Sequence, residues 1–228
     1  MTALADADHA TPRTALPHRF EVLIALKPLA LAKMRLKLPV RARMRLAFAM
    51  AADTVYAAAS SELVSAVHLV CSDPEVRQRV KNLPVRVLPN EPAGGLNAAL
   101  AFGASEIRER CDAPLALLTA DLPAASGEQL TAALATVGCN NRVLPDLGGT
   151  GTVLLAVPSG MPVHPQFGVG SLNAHLATGA VAIGKPGLEG LRRDVDSLDD
   201  LDVAHRLGVG PFTRRALQQI LWKVDYDA

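Results

Sequence analysis

The sequence predicts an α/β fold: a single Rossmann-like domain with a mostly parallel central sheet flanked by helices. Three observations predict it. Short apolar runs alternate with longer segments of helical period along most of the chain. One run, Pro114–Ala120, is apolar on both faces, as a strand central in a parallel sheet must be. Aromatic residues make up only 4% while alanine and leucine dominate, a composition suited to helices packed on a sheet. With 228 residues, half of them apolar, the chain suffices for one generous core. No internal repeat or long interior linker divides it. The domain is therefore placed at residues 20–212, with a flexible tail at 1–19 before it and a last helix at 213–228 after it.

The elements follow in order. Phe20–Ala25 is a short apolar strand, and a loop rich in Pro, Leu and Ala comes next. Phe48, Ala52, Val55 and Ala59 recur at three- to four-residue spacing, which predicts a helix over 41–60. Val64–Cys71 reads as the second strand, and Ser72-Asp73-Pro74 opens a short helix capped by Ser72 or Asp73. Val85–Pro89 is a third strand. Gly94-Gly95 breaks the chain before a long helix with Leu96, Leu100, Gly103 and Ile107 on one face. After the strand at 114–120, residues 127–137 read as helix. Strands at 142–145 and 152–157 flank a glycine-rich turn, and a helix over 171–178 follows the loop Phe167-Gly168-Val169-Gly170. Residues 180–183 and 193–195 resemble short strands. Ser197 with Asp200 three positions on resembles a capping box, its helix ending at Gly208 before a final helix from Pro211 to Trp222.

Composition also excludes. No apolar run approaches the ~20 residues of a membrane-spanning helix. The N-terminal stretch lacks the unbroken apolar segment of a signal peptide. The odd cysteine count, three without metal spacing, argues for a reducing cytoplasm. A net charge of +1 gives no reason to expect nucleic-acid binding. The distribution is more telling than the total. Residues 27–45 carry seven basic side chains and no acid, while Asp194, Asp196, Asp199, Asp200 and Asp202 cluster near the other end. Arg41, Arg43 and Arg45 are expected on a solvated helix face. Lys27, Lys33 and Arg35 precede that helix, at the carboxyl end of the first strand, where open sheets bind ligands; they are expected to hold an anion.

Asp121 directly follows the central strand, so its carboxylate is expected in the same crevice. Its competing role is a turn former, because Leu122-Pro123 follows. Asp194 and Asp196 alternate with Val195, so an extended backbone turns both carboxylates one way and Val195 into the core. Adjacent like charges repel unless a cation neutralises them. Three such carboxylates suit two magnesium ions roughly 3.5–4 Å apart, the clamp used for in-line phosphoryl displacement. Gly94-Gly95-Leu96-Asn97 at a helix start offers free backbone N–H groups and a positive dipole end, with the Asn97 amide suited to a nucleobase or ribose edge. The loops 149–152 and 168–171 offer further N–H groups and hydroxyls. His175 is read as a structural histidine rather than a substrate contact, and Cys71 as a strand residue packed in the core.

Lys27-Pro28-Leu29-Ala30-Leu31-Ala32-Lys33-x-Arg35-Leu36, Gly95-Leu96-Asn97-Ala98-Ala99-Leu100, Ala120-Asp121-Leu122-Pro123, Gly149-Thr150-Gly151-Thr152, Phe167-Gly168-x-Gly170-Ser171 and Arg193-Asp194-Val195-Asp196 occur in that order. Together they resemble the 2-phospholactate or phosphoenolpyruvate guanylyltransferase family of coenzyme F420 biosynthesis. The resemblance implies a nucleotidyltransferase fold similar to the molybdenum-cofactor guanylyltransferase. It implies transfer of GMP from GTP onto a phosphorylated three-carbon acid with release of pyrophosphate. By the same resemblance the acid would be phosphoenolpyruvate, 2-phospho-L-lactate or 3-phospho-D-glycerate, and a later transferase would pass it to the deazaflavin. By motif, Asp121, Asp194 and Asp196 would hold two Mg2+ ions, and Thr152, Gly168 and Ser171 the acceptor acid. Lys27, Lys33 and Arg35 would steady the triphosphate, while Gly95, Leu96 and Asn97 line the guanosine pocket. Relatives suggest a homodimer.

Two rivals make different expectations. A metal-dependent nucleotide-sugar glycosyltransferase using Asp194-Val195-Asp196 would transfer sugar and release no pyrophosphate from GTP. A non-catalytic GTP-binding module would bind the nucleotide and consume no acceptor.

Overall fold

The computed structural model describes residues 19–88 and 92–224. The expected tail, apart from Arg19, lies outside the described residues, as does Pro89 at the end of the third expected strand. Seven strands form one sheet: β1 (Phe20–Ala25), β2 (Val64–Val70), β3 (Arg86–Leu88), β4 (Leu115–Leu118), β5 (Arg142–Pro145), β6 (Thr152–Val157) and β7 (Val181–Ala182). Their order is β3-β2-β1-β4-β6-β5-β7. The first four run parallel, and β6 runs antiparallel to both its neighbours, so the sheet is mostly parallel as expected. The helices are α1 (Val40–Ala59), α2 (Pro74–Arg79), α3 (Leu96–Arg108), α4 (Gly127–Leu134), α5 (Ser171–Ala177), α6 (Glu189–Arg192), α7 (Leu198–Leu207) and α8 (Pro211–Val224).

The two faces of the sheet follow from side-chain alternation. Val22 and Ile24 of β1, with Ala116 and Leu118 of β4, pack against Ala47, Ala51 and Val55 of α1 and Leu130 and Leu134 of α4. Leu23, Leu115 and Leu117 point the other way, onto Leu100, Ala104 and Ile107 of α3. Each fully buried Val, Ile or Leu among them contributes roughly 1.5–3 kcal/mol. Helix α3 lies close on the sheet because position 103 is glycine. A Cβ there would sit 2.6 Å from Val70 Cγ2 and 2.8 Å from Leu23 Cδ1. A third cluster joins Leu36 to Leu46 and Met50 of α1, Val195, Leu201 of α7 and Ala216 of α8. It anchors the basic loop and the 194–196 segment to one apolar floor, and it ties α8 to the rest of the domain.

Cap chemistry sets several helix ends. The Asp73 carboxylate accepts from the Glu75 and Val76 N–H groups at the start of α2. Ser197 and Asp200 form the expected capping box of α7, and Gly208 ends that helix at φ 100°.

Three expectations are corrected. Residues 193–195 are a loop after α6, not a strand. The Val195 N–H donates to the Asp121 carbonyl at 3.1 Å, which pins the loop to the end of β4 without building a ladder. Arg43 does not belong to a solvated face. It is buried, and its guanidinium donates to the Ala32 carbonyl, fixing the basic loop from beneath. β4 is central, but one of its partners, β6, is antiparallel. No helix among the described residues is long and apolar enough to cross a membrane.

Candidate functional site

Strand order reverses at β1 and β4: the chain winds outward from β1 to β2 and β3, then returns to place β4 on the other side. Ile24 pairs with Leu118, so the two strands end side by side. Such a reversal opens a crevice at the carboxyl ends of the strands. Lys27 and Lys33 leave β1 into that crevice, and Thr119 and Asp121 leave β4 into it. A cavity of about 220 Å³ there is lined by Lys27, Lys33, Leu96, Thr119, Asp121 and Asp196. A larger one of about 470 Å³ continues from it, sharing Lys33, Leu96, Thr119, Asp121 and Asp196 and adding Arg35, Asp146, Thr152, Gly168 and Asp194.

Lys33 is the hub. Between two short 3-10 turns, Leu29–Leu31 and Met34–Leu36, it adopts the left-handed region at φ 53° and ψ 40°. Its ammonium donates to Asp121 Oδ2 and, at 2.7 Å, to Asp196 Oδ1. Burial alone would lower its pKa, but the Asp121 and Asp196 carboxylates hold it well above the ordinary lysine value. Arg35 reaches Asp196 Oδ2 at 3.9 Å and stays largely exposed.

The three aspartates, from segments far apart in sequence, line this crevice together. Asp194 carries the mark of their proximity. Burial, then the negative charges of Asp121, Asp196 and Asp146, push its carboxyl up to about 7, with Lys33 opposing. Asp121 Oδ1 is buried with no hydrogen-bond partner among the described residues. The Asp196 backbone is oriented by the α7 cap, its N–H donating to Asp200 Oδ2 at 3.2 Å. Among the described residues no three acidic, histidine or cysteine side chains are already drawn together as a metal cluster, because the Lys33 ammonium stands between two of the carboxylates. The donor set is nonetheless hard oxygen, with one buried oxygen unpartnered and one carboxyl crowded by like charge, and that chemistry fits a divalent cation such as magnesium.

The remaining residues divide into two groups. Thr152, at the start of β6, is buried, with its Oγ1 3.1 Å from His175 Nδ1. Gly168 lines the larger cavity at φ 133°, and the buried Ser171 Oγ has no hydrogen-bond partner among the described residues. Leu96 lines both cavities. Gly95, preceding α3 at φ 83°, lines neither, and Asn97 has another occupation. Its Nδ2 donates to the Phe167 carbonyl at 3.0 Å and its Oδ1 accepts the Phe167 N–H at 2.8 Å. The amide expected to read a base edge is instead a clasp between α3 and the loop at 167–170.

Sequence reasoning missed Asp146 and Thr119. Asp146 accepts from the Thr150 N–H at 3.0 Å and the Gly151 N–H at 2.8 Å, so those loop N–H groups serve the carboxylate rather than a ligand. A Cβ on Gly151 would lie 2.3 Å from Asp146 Oδ2, so a larger residue there would displace the Asp146 carboxylate. The signal was present: an aspartate opening a glycine-rich turn is a common acceptor for that turn's own N–H groups. The buried Thr119 Oγ1, two residues before Asp121, has no partner among the described residues.

Comparisons with known proteins bear on the family and the fold. A family profile described as "Guanylyl transferase CofC like" matches residues 20–182. The chain is 44% identical over 197 residues to a phosphoenolpyruvate guanylyltransferase of Salinispora arenicola, covering 84% of this chain and 90% of the relative. It is 42% identical over 207 residues to a protein of the same name from Streptomyces avermitilis, covering 89% and 96%. Among solved structures, a nucleotidyl transferase from Methanothermobacter thermautotrophicus superposes with TM-score 0.60 at 18% identity, covering 83% of this chain and 97% of that one. A 4-diphosphocytidyl-2C-methyl-D-erythritol synthase from Anaerococcus prevotii superposes with TM-score 0.53 at 9% identity, covering 84% and 96%. At those identities the structural likeness speaks for the fold alone.

Proposed function

Because the chain belongs to the CofC-like guanylyl transferase family, we propose that it transfers GMP from GTP onto the phosphate of a three-carbon acid, with release of pyrophosphate. Phosphoenolpyruvate is the acceptor we assign, after the activity for which the 40–44% identical relatives are named. The observation that supports the reading is convergence: cations from the β1 loop, carboxylates from two distant segments, Thr152 at the start of β6 and the loop at Gly168 line one crevice.

An oxygen of the acceptor phosphate attacks the α-phosphorus of GTP, forming a new P–O–P link. The bond from the α-phosphorus to its bridging oxygen breaks, and pyrophosphate leaves with that electron pair. The attacking phosphate is already anionic at neutral pH, so no general base is required. The barrier lies in bringing two anions together, which Lys27, Lys33 and Arg35 screen. The N-terminal end of α3 at Gly95 and Leu96 turns its dipole toward the nucleotide. Thr152, Gly168 and Ser171 hold the acceptor. Asp121, Asp194 and Asp196 would hold divalent cation, taken as two Mg2+ ions. Such ions, when bound, neutralise phosphate charge and make the α-phosphorus more electrophilic. The product is an activated diester suited to a second transferase, which in coenzyme F420 synthesis passes the acid to the deazaflavin.

The test is direct. Purified protein is incubated with GTP, Mg2+ and each of phosphoenolpyruvate, 2-phospho-L-lactate and 3-phospho-D-glycerate, and pyrophosphate and guanylylated product are measured. Product by mass with one of the acids supports the reading. GTP binding with no acid consumed would instead favour a nucleotide-binding module.

A further inference from the structure

His175 lies outside the residues that motif reasoning assigns to the site, yet its ring is built into it. The residue is 1% exposed, and both nitrogens are committed. Nε2 accepts the Gln166 backbone N–H at 3.0 Å, so it carries no proton. A neutral imidazole must then carry its one hydrogen on Nδ1. That nitrogen faces Thr152 Oγ1 at 3.1 Å, and the ring also bonds the Ser171 backbone. Burial lowers the His175 pKa, with the Ser171 bond opposing, which keeps the ring neutral. The Phe167 ring meets it edge-on at 5.5 Å.

The consequence falls on Thr152. A hydroxyl can donate one hydrogen only, and a protonated Nδ1 cannot accept it. Thr152 Oγ1 therefore cannot donate to His175; the Nδ1 hydrogen is shared between Thr152 Oγ1 and the Ser171 backbone, and the Thr152 hydrogen is left for another partner. We infer that His175 is a positioning residue: by holding the Nδ1–H tautomer it turns the Thr152 hydroxyl into an obligate donor toward the anionic acceptor in the larger cavity. The same ring links the three acceptor segments, touching Thr152 of β6, Ser171 of α5 and the 166–167 loop. The inference rests on the guanylyl-transfer reading for the identity of the acceptor, but the tautomer does not.

Two measurements test it. In 15N-labelled full-length protein, a long-range 1H–15N correlation of the His175 ring is expected to show Nδ1 protonated and Nε2 bare; the opposite tautomer overturns the inference. Kinetics then separate positioning from mere packing. Asn places an amide near the Nδ1 position, whereas Gln reaches only the Nε2 position. His175→Gln is expected to raise the acceptor KM roughly ten- to hundredfold, the loss of one donor to a charged group, with the GTP KM unchanged. His175→Asn is expected to recover most of that loss. In a Thr152→Val background, His175→Gln is expected to add nothing further. Additive losses, or equal rises in both KM values, would overturn the inference. Failure of the unaltered protein to consume any acceptor would count against guanylyl transfer itself and leave the tautomer measurement standing on its own.

Discussion

The Val195 N–H donates to the Asp121 carbonyl at 3.1 Å. That bond joins two segments more than seventy positions apart and sets the flanking Asp194 and Asp196 beside Asp121. Val195 itself is fully buried in the cluster with Leu36 and Met50, so the carboxylates on either side are turned out of the core. The join fixes the Asp121 backbone, so the side chain is left to pair with the Lys33 ammonium.

Asp121→Asn is therefore expected to abolish turnover, by a hundredfold or more on the scale of a lost electrostatic contact to the transition state. Its melting temperature should stay within about 2 °C. The weakened pairing with Lys33 is offset by relief of repulsion toward Asp194, while Asp196 still accepts from Lys33 and the backbone bond to Val195 is retained. Calorimetry decides the matter. A large fall in melting temperature would return Asp121 to the role of a turn former.

Thr54 holds the turn after β4 from beneath. Buried in α1, its Oγ1 accepts the Leu122 N–H at 3.1 Å and donates to the Met50 carbonyl at 2.9 Å. Thr54→Val strands a buried N–H and should cost about 1–3 kcal/mol by denaturant unfolding. Because the stranded group adjoins Asp121, kcat should fall as well, and Thr54→Ser should restore both. Unchanged stability in Thr54→Val would refute the assignment.

Asp194 links stability and cation binding to pH. Its folded pKa of about 7 lies above the unfolded value of 3.8. Between those values the unfolded chain binds fewer protons than the folded one, so the Asp194 contribution to stability falls as pH rises from about 4 to 7. A bound divalent ion needs Asp194 ionised and must displace that proton below pH 7. The Mg2+-induced rise in melting temperature is thus expected to be larger at pH 8 than at pH 6. An equal or reversed difference would contradict the crowding of Asp194 by Asp121, Asp196 and Asp146.

The Asn97 clasp gives a further expectation. Asn97→Asp keeps an acceptor for the Phe167 N–H but sets a carboxylate oxygen against the Phe167 carbonyl. The acceptor loop should loosen, raising the acceptor KM more than the GTP KM. The reverse order would assign Asn97 to the guanosine.

The sheet and the acidic site were legible in the sequence because their signals are local. Pro114–Ala120 announced a buried strand by its unbroken apolar run, and the Asp194-Val195-Asp196 spacing marked the acids that line the larger cavity, although the backbone there is a loop and not the strand that alternation assumed. What escaped depended on contacts between distant segments. Arg43 reads as one of three charges on a helix surface until the Ala32 carbonyl is seen above it. Asn97 reads as a ligand contact until Phe167 is brought against it. Asp146 reads as a turn residue, which it is, and only the fold shows that the turn opens onto Asp194. His175 was read as structural from its position on α5, and its bonds to Gln166 and Thr152 could not be foreseen from spacing.

The most direct test of the central claim is anomalous diffraction from crystals of the protein grown with GTP and Mn2+ in place of Mg2+. Anomalous peaks within coordination distance of Asp121, Asp194 and Asp196 are the predicted result. Peaks that touch only nucleotide phosphates, with Asp121 and Asp196 still held by Lys33, would contradict it.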